Sequence, residues 1–452
     1  MEKKRKERPS RRGISLGTIF MLAVTVIVVG LSAATLPRLL GKADFDMDVG
    51  SVFALSLDHA IPSLALSQIP ISDRTAEPAV QMTPEMPEIL FTPAATAVPT
   101  PTPVPGGTVT LTLGGSVNIE EGIRKSAYYS DSGKYDFTEI MMLLQEEMQS
   151  DLTLLTLENV TCDTEKVSSV NVPSDVMDML SDAGVDLLAL GYPNAMDKGM
   201  AGLQSTVQAA RDRGMMTLGA YVNQADADTL RMVTVDNVDV AFLHYTESIS
   251  STGKKAVSSE GADYALPMTL ISGTPDAMLA DIRNAREAGA DLVIVSLNWG
   301  KVSASKPTAA QKELAQQLAD AGADVIVGAG TRVVQPVSWL TAKDTNGSIR
   351  QVLCAGNLGS LLNVSRKDGN VLGMLLQLQI SLDGGVLSFE KVCYTPTYVW
   401  RFKQDGKYQY RIAVSDQAPP DGMGDDHIGY MEKAYRNLQK YLGDSPVTLR
   451  TK

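Results

Sequence analysis

Histidine and cysteine are almost missing from this chain, with three of each in 452 residues. Cys162, Cys354 and Cys393 cannot all pair, and their wide separation offers no Cys-x-x-Cys motif. A disulfide framework and a thiolate metal site are both excluded as the basis of the fold, and the three thiols read as buried apolar groups. Basic charge is scarce too: 40 Lys and Arg face 52 Asp and Glu, a net charge of −12. Seven of the basic residues fall within the first twelve positions, beside only Glu2 and Glu7, so the rest of the chain is more acidic still. Without a basic stripe beyond that tail the chain lacks the phosphate-neutralising surface that nucleic-acid binding needs.

What is present begins with a run free of charge. Residues 1–13 form a basic tail, and residues 14–36 carry no charged side chain. At about 1.5 Å rise per residue such a run crosses a hydrocarbon core of about 30 Å. The positive-inside rule then leaves the N-terminus in the cytoplasm and everything after Leu36 outside, a single-pass protein of the cell membrane. An uncleaved anchor is expected; a cleaved signal peptide, with Ser32, Ala33 and Ala34 as its small residues, is the other reading. Residues 37–106 show no sustained periodicity and end in alternating Pro and Thr, which favours extended polyproline II and makes an extracytoplasmic stalk.

The folded region, residues 107–414, alternates strand and helix signals. Strands are expected at 108–113, 152–157, 186–190, 215–218, 232–235, 238–244, 292–297 and 325–327. Helices are expected at 137–148, 174–182, 203–213, 276–287 and 309–320, and Gly114-Gly115 reads as a turn. Strands without helices close the region, near 334–340, 350–354, 371–380 and 386–394. Residues 415–452 form an extension with one amphipathic helix at 427–441. Three times a helix ends in Ala-Gly, one residue and Asp ahead of an apolar strand: Ala183-Gly184-Val185-Asp186, Ala288-Gly289-Ala290-Asp291 and Ala321-Gly322-Ala323-Asp324. Glycine accepts the left-handed conformation that ends a helix, and a strand apolar throughout is buried on both faces. The pattern predicts an α/β fold, a layered sandwich of central sheets flanked by helices.

In such folds chemistry gathers where strands end, and here those ends read Gly-Tyr-Pro-Asn, Leu-Asn-Trp-Gly and Gly-Ala-Gly-Thr-Arg, poor in His, Cys and carboxylates. The segments Gly114-Gly115-Ser116-Val117, Leu157-Glu158, residues 193–199 (PNAMDKG), Asn298-Trp299-Gly300, residues 328–336 (GAGTRVVQP) and Ala355-Gly356-Asn357-Leu358 follow one another in a recognisable order. Together they resemble the capsule-synthesis, or poly-γ-glutamate-synthesis, CapA family, whose domain is similar to calcineurin-like metallophosphatases. The corresponding family motifs are Gly-Asp-x-Met, Asn-Leu-Glu, Asn-His-x-x-Asp-x-Gly, His-Trp-Gly, Gly-His-His-Pro-His-Val-x-Gln-Pro and Leu-Gly-Asn-Phe. The resemblance implies a metal centre at these loops, yet Gly115, Thr156, Asn194, Asn298, Ala329, Gly330 and Arg332 stand at the positions of its ligands. A hydrolytic ion needs several anionic or imidazole donors, so no metal cofactor is expected.

Seven residues remain as candidate pocket groups. Glu158 is either a pocket acid or a solvent-facing rim residue, and Asp197 either a pocket acid or the cap of the following helix. Arg332 puts a permanent positive charge where the family would hold metal, positioned to pair with Glu158 or Asp197 or to fork onto an anion. Trp299 stacks on a ligand at the lip or packs in the core, and Asn298 and Asn357 bind a ligand or brace loops, with Asn194 beside them. His244, alone in the domain, reads as structural; a dyad with Cys162 is the other use. The resemblance implies a membrane-anchored envelope protein that handles capsule or poly-γ-glutamate, with an anionic polymer or capsule-assembly proteins as partners and no metal catalysis. The alternative is an active hydrolase or amide-transfer enzyme on an envelope polymer, with Glu158 and Asp197 as acid and base.

Overall fold

The computed structural model describes residues 106–268, 274–343, 347, 349–367 and 369–450. The basic tail, the charge-free run and all but the last residue of the stalk lie outside the described residues. Among those described, no helix is long and apolar enough to cross a membrane.

Two sheets are laid down in succession. Strands β1 (Gly107–Val117), β2 (Leu152–Leu157), β3 (Leu187–Ala189) and β4 (Met216–Leu218) pair in parallel, with α1 (Val176–Asp182) and α2 (Gly199–Arg211) as crossovers. The chain then builds a second sheet from β5 (Arg231–Val235), β6 (Val238–Thr246), β7 (Leu292–Asn298), β8 (Val325–Ala329), β9 (Val334–Lys343) and β10 (Ile349–Leu358). Helices α3 (Ser251–Glu260), α4 (Asp276–Glu287) and α5 (Ala309–Ala321) lie between these strands in sequence. It returns to the first sheet with the antiparallel β11 (Leu372–Asp383), β12 (Val386–Gln404) and β13 (Lys407–Val414), and α6 (Asp425–Leu442) follows. The spatial orders are β13-β12-β11-β1-β2-β3-β4 and β9-β10-β8-β7-β6-β5.

Burial explains the layering. One core lies between the sheets, where Leu111, Leu113 and Leu154 of the first meet Phe242, Ile294 and Val327 of the second. A second core packs α1 and α2 on the outer face of the first sheet, and a third packs α4 and α5 on the outer face of the second. Parallel strands covered on both faces must be apolar at every position, and β2 and β7 are buried throughout. Residues 415–450 join the inter-sheet core, since Met431, Ala434, Leu438 and Leu442 of α6 are buried there and the Arg450 amide donates to the Tyr394 carbonyl at 3.0 Å.

The Ala-Gly-x-Asp repeat works as the sequence suggests, with Gly184, Gly289 and Gly322 at φ of 87°, 97° and 127°. Its aspartates add something the pattern did not reveal. The carboxylates of Asp186, Asp291 and Asp324 accept the backbone amides of Thr153 (2.8 Å), Asp239 (3.0 Å) and Val293 (2.8 Å) at the start of the neighbouring parallel strand. Their own amides donate back to the carbonyls of those three residues at 3.1, 2.8 and 2.9 Å. Each aspartate thus clamps two strand origins together, satisfying amides that would otherwise be orphaned beyond the ladder.

Three expectations are corrected. Gly114 and Gly115 do not turn; β1 runs through them with a register shift, because a Cβ at Gly114 would meet Leu155 Cδ2 at 2.2 Å and only glycine lets the strands approach so closely. Residues 137–148 bury Phe137, Ile140, Met141, Leu144 and Met148 with helical spacing, but form two 3₁₀ turns, Thr138–Ile140 and Met142–Leu144. Neither turn has a side-chain cap, and the segment packs against β13 and α1, so burial rather than helix propagation fixes it. Helix α3 went unread because its sequence is polar and buries only Gly253, yet it is bracketed by the Ser250 hydroxyl, which accepts the Gly253 amide at 2.9 Å, and by Gly261 at φ 61°.

Candidate functional site

The carboxyl ends of β1, β2, β7 and β8 converge on one side chain. Glu158 follows β2 directly, and its amide is anchored on the Val117 carbonyl at 2.9 Å. Its side chain is 8% exposed, so it is a pocket group rather than a rim residue. Four donors surround its carboxylate: Ser116 Oγ at 2.8 Å, Asn118 Nδ2 at 3.5 Å, Asn298 Nδ2 at 3.5 Å and Arg332 Nη2 at 3.3 Å. A buried carboxylate needs such compensation, and the guanidinium supplies the opposite charge.

Arg332 also reaches Glu120 Oε1 at 3.6 Å, while Glu120 Oε2 accepts the Val364 amide at 2.8 Å. Its backbone is left-handed, φ 61°, which costs a non-glycine residue about 1 kcal/mol and persists only where the surroundings hold it. The two carboxylates hold it here. Arg332→Ala is therefore expected to lower the unfolding free energy by about 1–2 kcal/mol, less than for a fully buried pair because Arg332 is 27% exposed. Thermal denaturation checks this; an unchanged midpoint would show that solvent already satisfies Glu158.

Glu120, Glu158 and Arg332 line a cavity of about 490 Å³ that also takes in Asn118, Glu121, Tyr192 and Asn194; Ser116 and Asn298 bond Glu158 without lining it. Tyr192 is buried, its hydroxyl has no partner among the described residues, and burial together with Glu158 and Asp197 pushes its proton affinity well above the ordinary phenol range. It stays protonated and offers a hydrogen bond. Glu120, Glu121 and Glu158 outnumber Arg332, so the cavity favours neutral or cationic ligand groups over anionic ones.

The remaining candidates separate. Asp197 does not cap α2, whose Ncap is Lys198 without a side-chain bond; it accepts from Asn194 Nδ2 at 2.7 Å and from the Ser250 hydroxyl, tying α2's entry loop to α3. Trp299 is not at the lip: it is 2% exposed and its indole N–H donates to the Gly356 carbonyl at 3.0 Å, so it packs beneath the site. Asn357 is fully buried and braces the loop, accepting the Gly359 amide at 3.0 Å. The dyad is not made. Cys162 Sγ contacts Thr164 Oγ1 at 3.3 Å, and both His244 nitrogens are occupied, Nε2 by the Gly191 carbonyl at 2.8 Å and Nδ1 by Ser296 Oγ at 3.0 Å. A carbonyl only accepts, so Nε2 carries the proton and Nδ1 receives the Ser296 hydroxyl. Cys393 is half-buried rather than in the core. Ser116, Asn118, Glu120 and Tyr192 were missed; only the last two stood out chemically, and nothing local in the sequence places them beside Glu158.

The donor set does not fit a catalytic metal. Where the family pattern has an aspartate, a Cβ at Gly115 would come within 2.2 Å of the Gly359 carbonyl oxygen. Gly330, at a histidine position of the pattern, has φ 100°, and a Cβ there would meet Asn298 Oδ1 at 2.8 Å. The backbone has closed over two ligand positions, and a guanidinium rests on the one carboxylate left at the centre. Among the described residues no three His, Cys, Asp or Glu side chains come together as a metal would require.

The family described as bacterial capsule synthesis protein PGA_cap matches residues 110–355, which includes every strand of the site. The chain is 28% identical over 174 residues to the capsule biosynthesis protein CapA of Bacillus anthracis, covering 38% of this chain and 40% of that protein. It is 28% identical over 160 residues to the PGA biosynthesis protein CapA of Bacillus subtilis (strain 168), covering 35% and 40%. The matched part thus spans about two fifths of each relative's length. A solved phosphatase from Mycoplasma pneumoniae superposes with a TM-score of 0.36 at 12% identity, over 64% of this chain and 93% of that one.

Proposed function

Because the chain belongs to the bacterial capsule synthesis protein family PGA_cap, we propose that it is a non-catalytic component of capsule or poly-γ-glutamate handling, anchored in the cell membrane by residues 14–36 with its α/β sandwich outside. The observation that carries this reading is the engagement of Glu158 by Arg332 and three neutral donors, where the other ligand positions of the family pattern hold Gly115, Thr156, Asn194, Asn298, Ala329 and Gly330. A general acid or nucleophile must be free to give or take a proton or to attack, and a carboxylate held by a permanent cation does neither well. What survives is recognition: a cavity with the Tyr192 hydroxyl, the Asn118 and Asn194 amides and a fixed ion pair suits a hydroxyl- or amide-bearing group of a polymer or of an assembly partner.

The test is metal analysis of the purified full chain, together with hydrolysis assays on a phosphodiester and on a glutamate oligomer. Substoichiometric metal and no turnover are expected. About one tightly held Mn, Fe or Zn per chain, with turnover abolished by Glu158→Gln, would overturn the reading in favour of an enzyme.

A further inference from the structure

The acidity of the chain makes one place stand out. Between α6, the segment that leads into β11 and the second half of β12 lies a second cavity, of about 320 Å³, lined by Arg366, Arg401, Lys433 and His427 with Tyr398 and Tyr430. Three permanent cations share one recess in a protein of net charge −12, and no carboxylate lines it. All of these residues lie beyond position 355, outside the stretch the capsule-synthesis family matches.

The two arginines are positioned by neutral groups. Arg366 donates through Nη1 and Nη2 to the Val399 carbonyl at 3.1 and 3.2 Å and lies 6.0 Å from the Tyr398 ring centre. Arg401 lies 4.6 Å from the Tyr408 ring centre. Among the described residues, no Asp or Glu forms an ion pair with either. Burial above all, and the like charge of Arg401, push the Arg366 proton affinity down, against the opposing pull of the Tyr398 and Tyr410 hydroxyls. His427 Nδ1, on the same helical face as Tyr430 and Lys433, is buried with no hydrogen-bond partner among the described residues. Two arginines held by neutral groups and a concave wall of aromatic rings are what a forked oxyanion on an apolar spacer would meet.

We propose that this recess is a second ligand site, separate from the Glu158 cavity, and that it takes adjacent carboxylates of a polycarboxylate chain, with Arg366 and Arg401 forking onto them and the tyrosines covering the methylene spacer. It rests on the reading that the protein handles a capsule polymer, and it assigns the anionic polymer to this recess because the Glu158 cavity carries an excess of negative charge. A bilayer of anionic lipid would meet a convex basic face; a recess selects a narrow chain.

The test uses the full chain in detergent and a fluorescent glutamate octamer, read by anisotropy. Binding is expected to weaken at least about tenfold in an Arg366→Gln/Arg401→Gln variant, each lost charge-assisted contact being worth about a factor of ten. It should also weaken as salt is raised to about 0.5 M. Lys440→Gln, which removes a charge from the same helix away from the recess, is expected to leave binding unchanged. Arg366 also fixes backbone, so Arg401→Gln alone, with an unchanged melting temperature, keeps the test valid if the double variant unfolds. Octamer binding that survives Arg401→Gln but is lost in Arg332→Ala overturns this proposal and spares the reading it rests on. Competition by inorganic phosphate at equal concentration, or tighter binding to phosphatidylglycerol vesicles than to the octamer, overturns the polycarboxylate assignment. Turnover of the octamer would sink the non-catalytic reading while leaving capture in this recess intact.

Discussion

Replacing Asp324 with asparagine is expected to lower the unfolding free energy by roughly 2–3 kcal/mol, less than for a fully buried pair because its partners Arg286 and Arg350 are 29% and 24% exposed. Asp324 is 4% exposed and its two oxygens serve three donors: the Val293 amide at 2.8 Å, the Arg350 guanidinium at 3.0 Å and Arg286 Nη2. Burial pushes its carboxyl up while the two arginines pull it down. An asparagine has one acceptor oxygen for those three donors, and its NH2 group, standing where one carboxylate oxygen was, would face a guanidinium donor. Asp291 provides the internal comparison. It holds the same place in the repeat and its carboxylate accepts the Asp239 amide, but among the described residues no guanidinium bonds that carboxylate, Arg286 Nη1 donating instead to the Asp291 backbone carbonyl at 2.7 Å, so Asp291→Asn is expected to cost about 1–2 kcal/mol. Urea denaturation of both variants separates the two cases; equal losses would mean that the arginines contribute nothing through Asp324.

The second large effect is an acid-dependent loss of stability carried by His244. Its imidazole is buried between the sheets, and burial lowers its pKa to about 4 against an ordinary value of 6.5. Above pH 6.5 neither the folded nor the unfolded chain protonates it, and it contributes no pH dependence. Between pH 6.5 and 4 the unfolded chain takes up a proton that the folded chain refuses, so stability falls by about 1.4 kcal/mol per pH unit and by roughly 3 kcal/mol in all, flattening below pH 4. The difference in unfolding free energy between wild type and His244→Asn, measured from pH 7 to pH 4, should show this slope. A folded-state titration midpoint above pH 6, followed by NMR of the His244 ring, would refute it even if the variant fails to fold. The ring has little room to escape, because a Cβ at Gly219 or Gly191 would sit 2.1 or 2.7 Å from its Cδ2.

Much of this architecture was legible from spacing. Helices α4 and α5 and strands β7 and β8 fall where the apolar periodicity and the Ala-Gly-x-Asp junctions put them, because local chain reversal and two-sided burial leave few alternatives. Residues 137–148 were misread for the opposite reason: their apolar spacing is helical, and only contacts with β13 and α1, distant in sequence, decide that the segment stays as 3₁₀ turns. At the site, Glu158, Asn298 and Arg332 could be singled out from the strand ends, and the structure brings them together. Trp299 could not be placed, since a tryptophan after a buried strand reads the same whether it faces a ligand or the Gly356 carbonyl. Ser116 and Asn118 gave no signal, because small polar residues acquire meaning only from what lies opposite.

The aspartate clamps sit at one end of the strands and the ligand cavity at the other. Exchanging groups around Glu158 therefore leaves every clamp untouched, and the cost to the fold is confined to the contacts made at the cavity itself. The cavity can be altered while the strand origins stay joined, because no clamp shares a side chain with it.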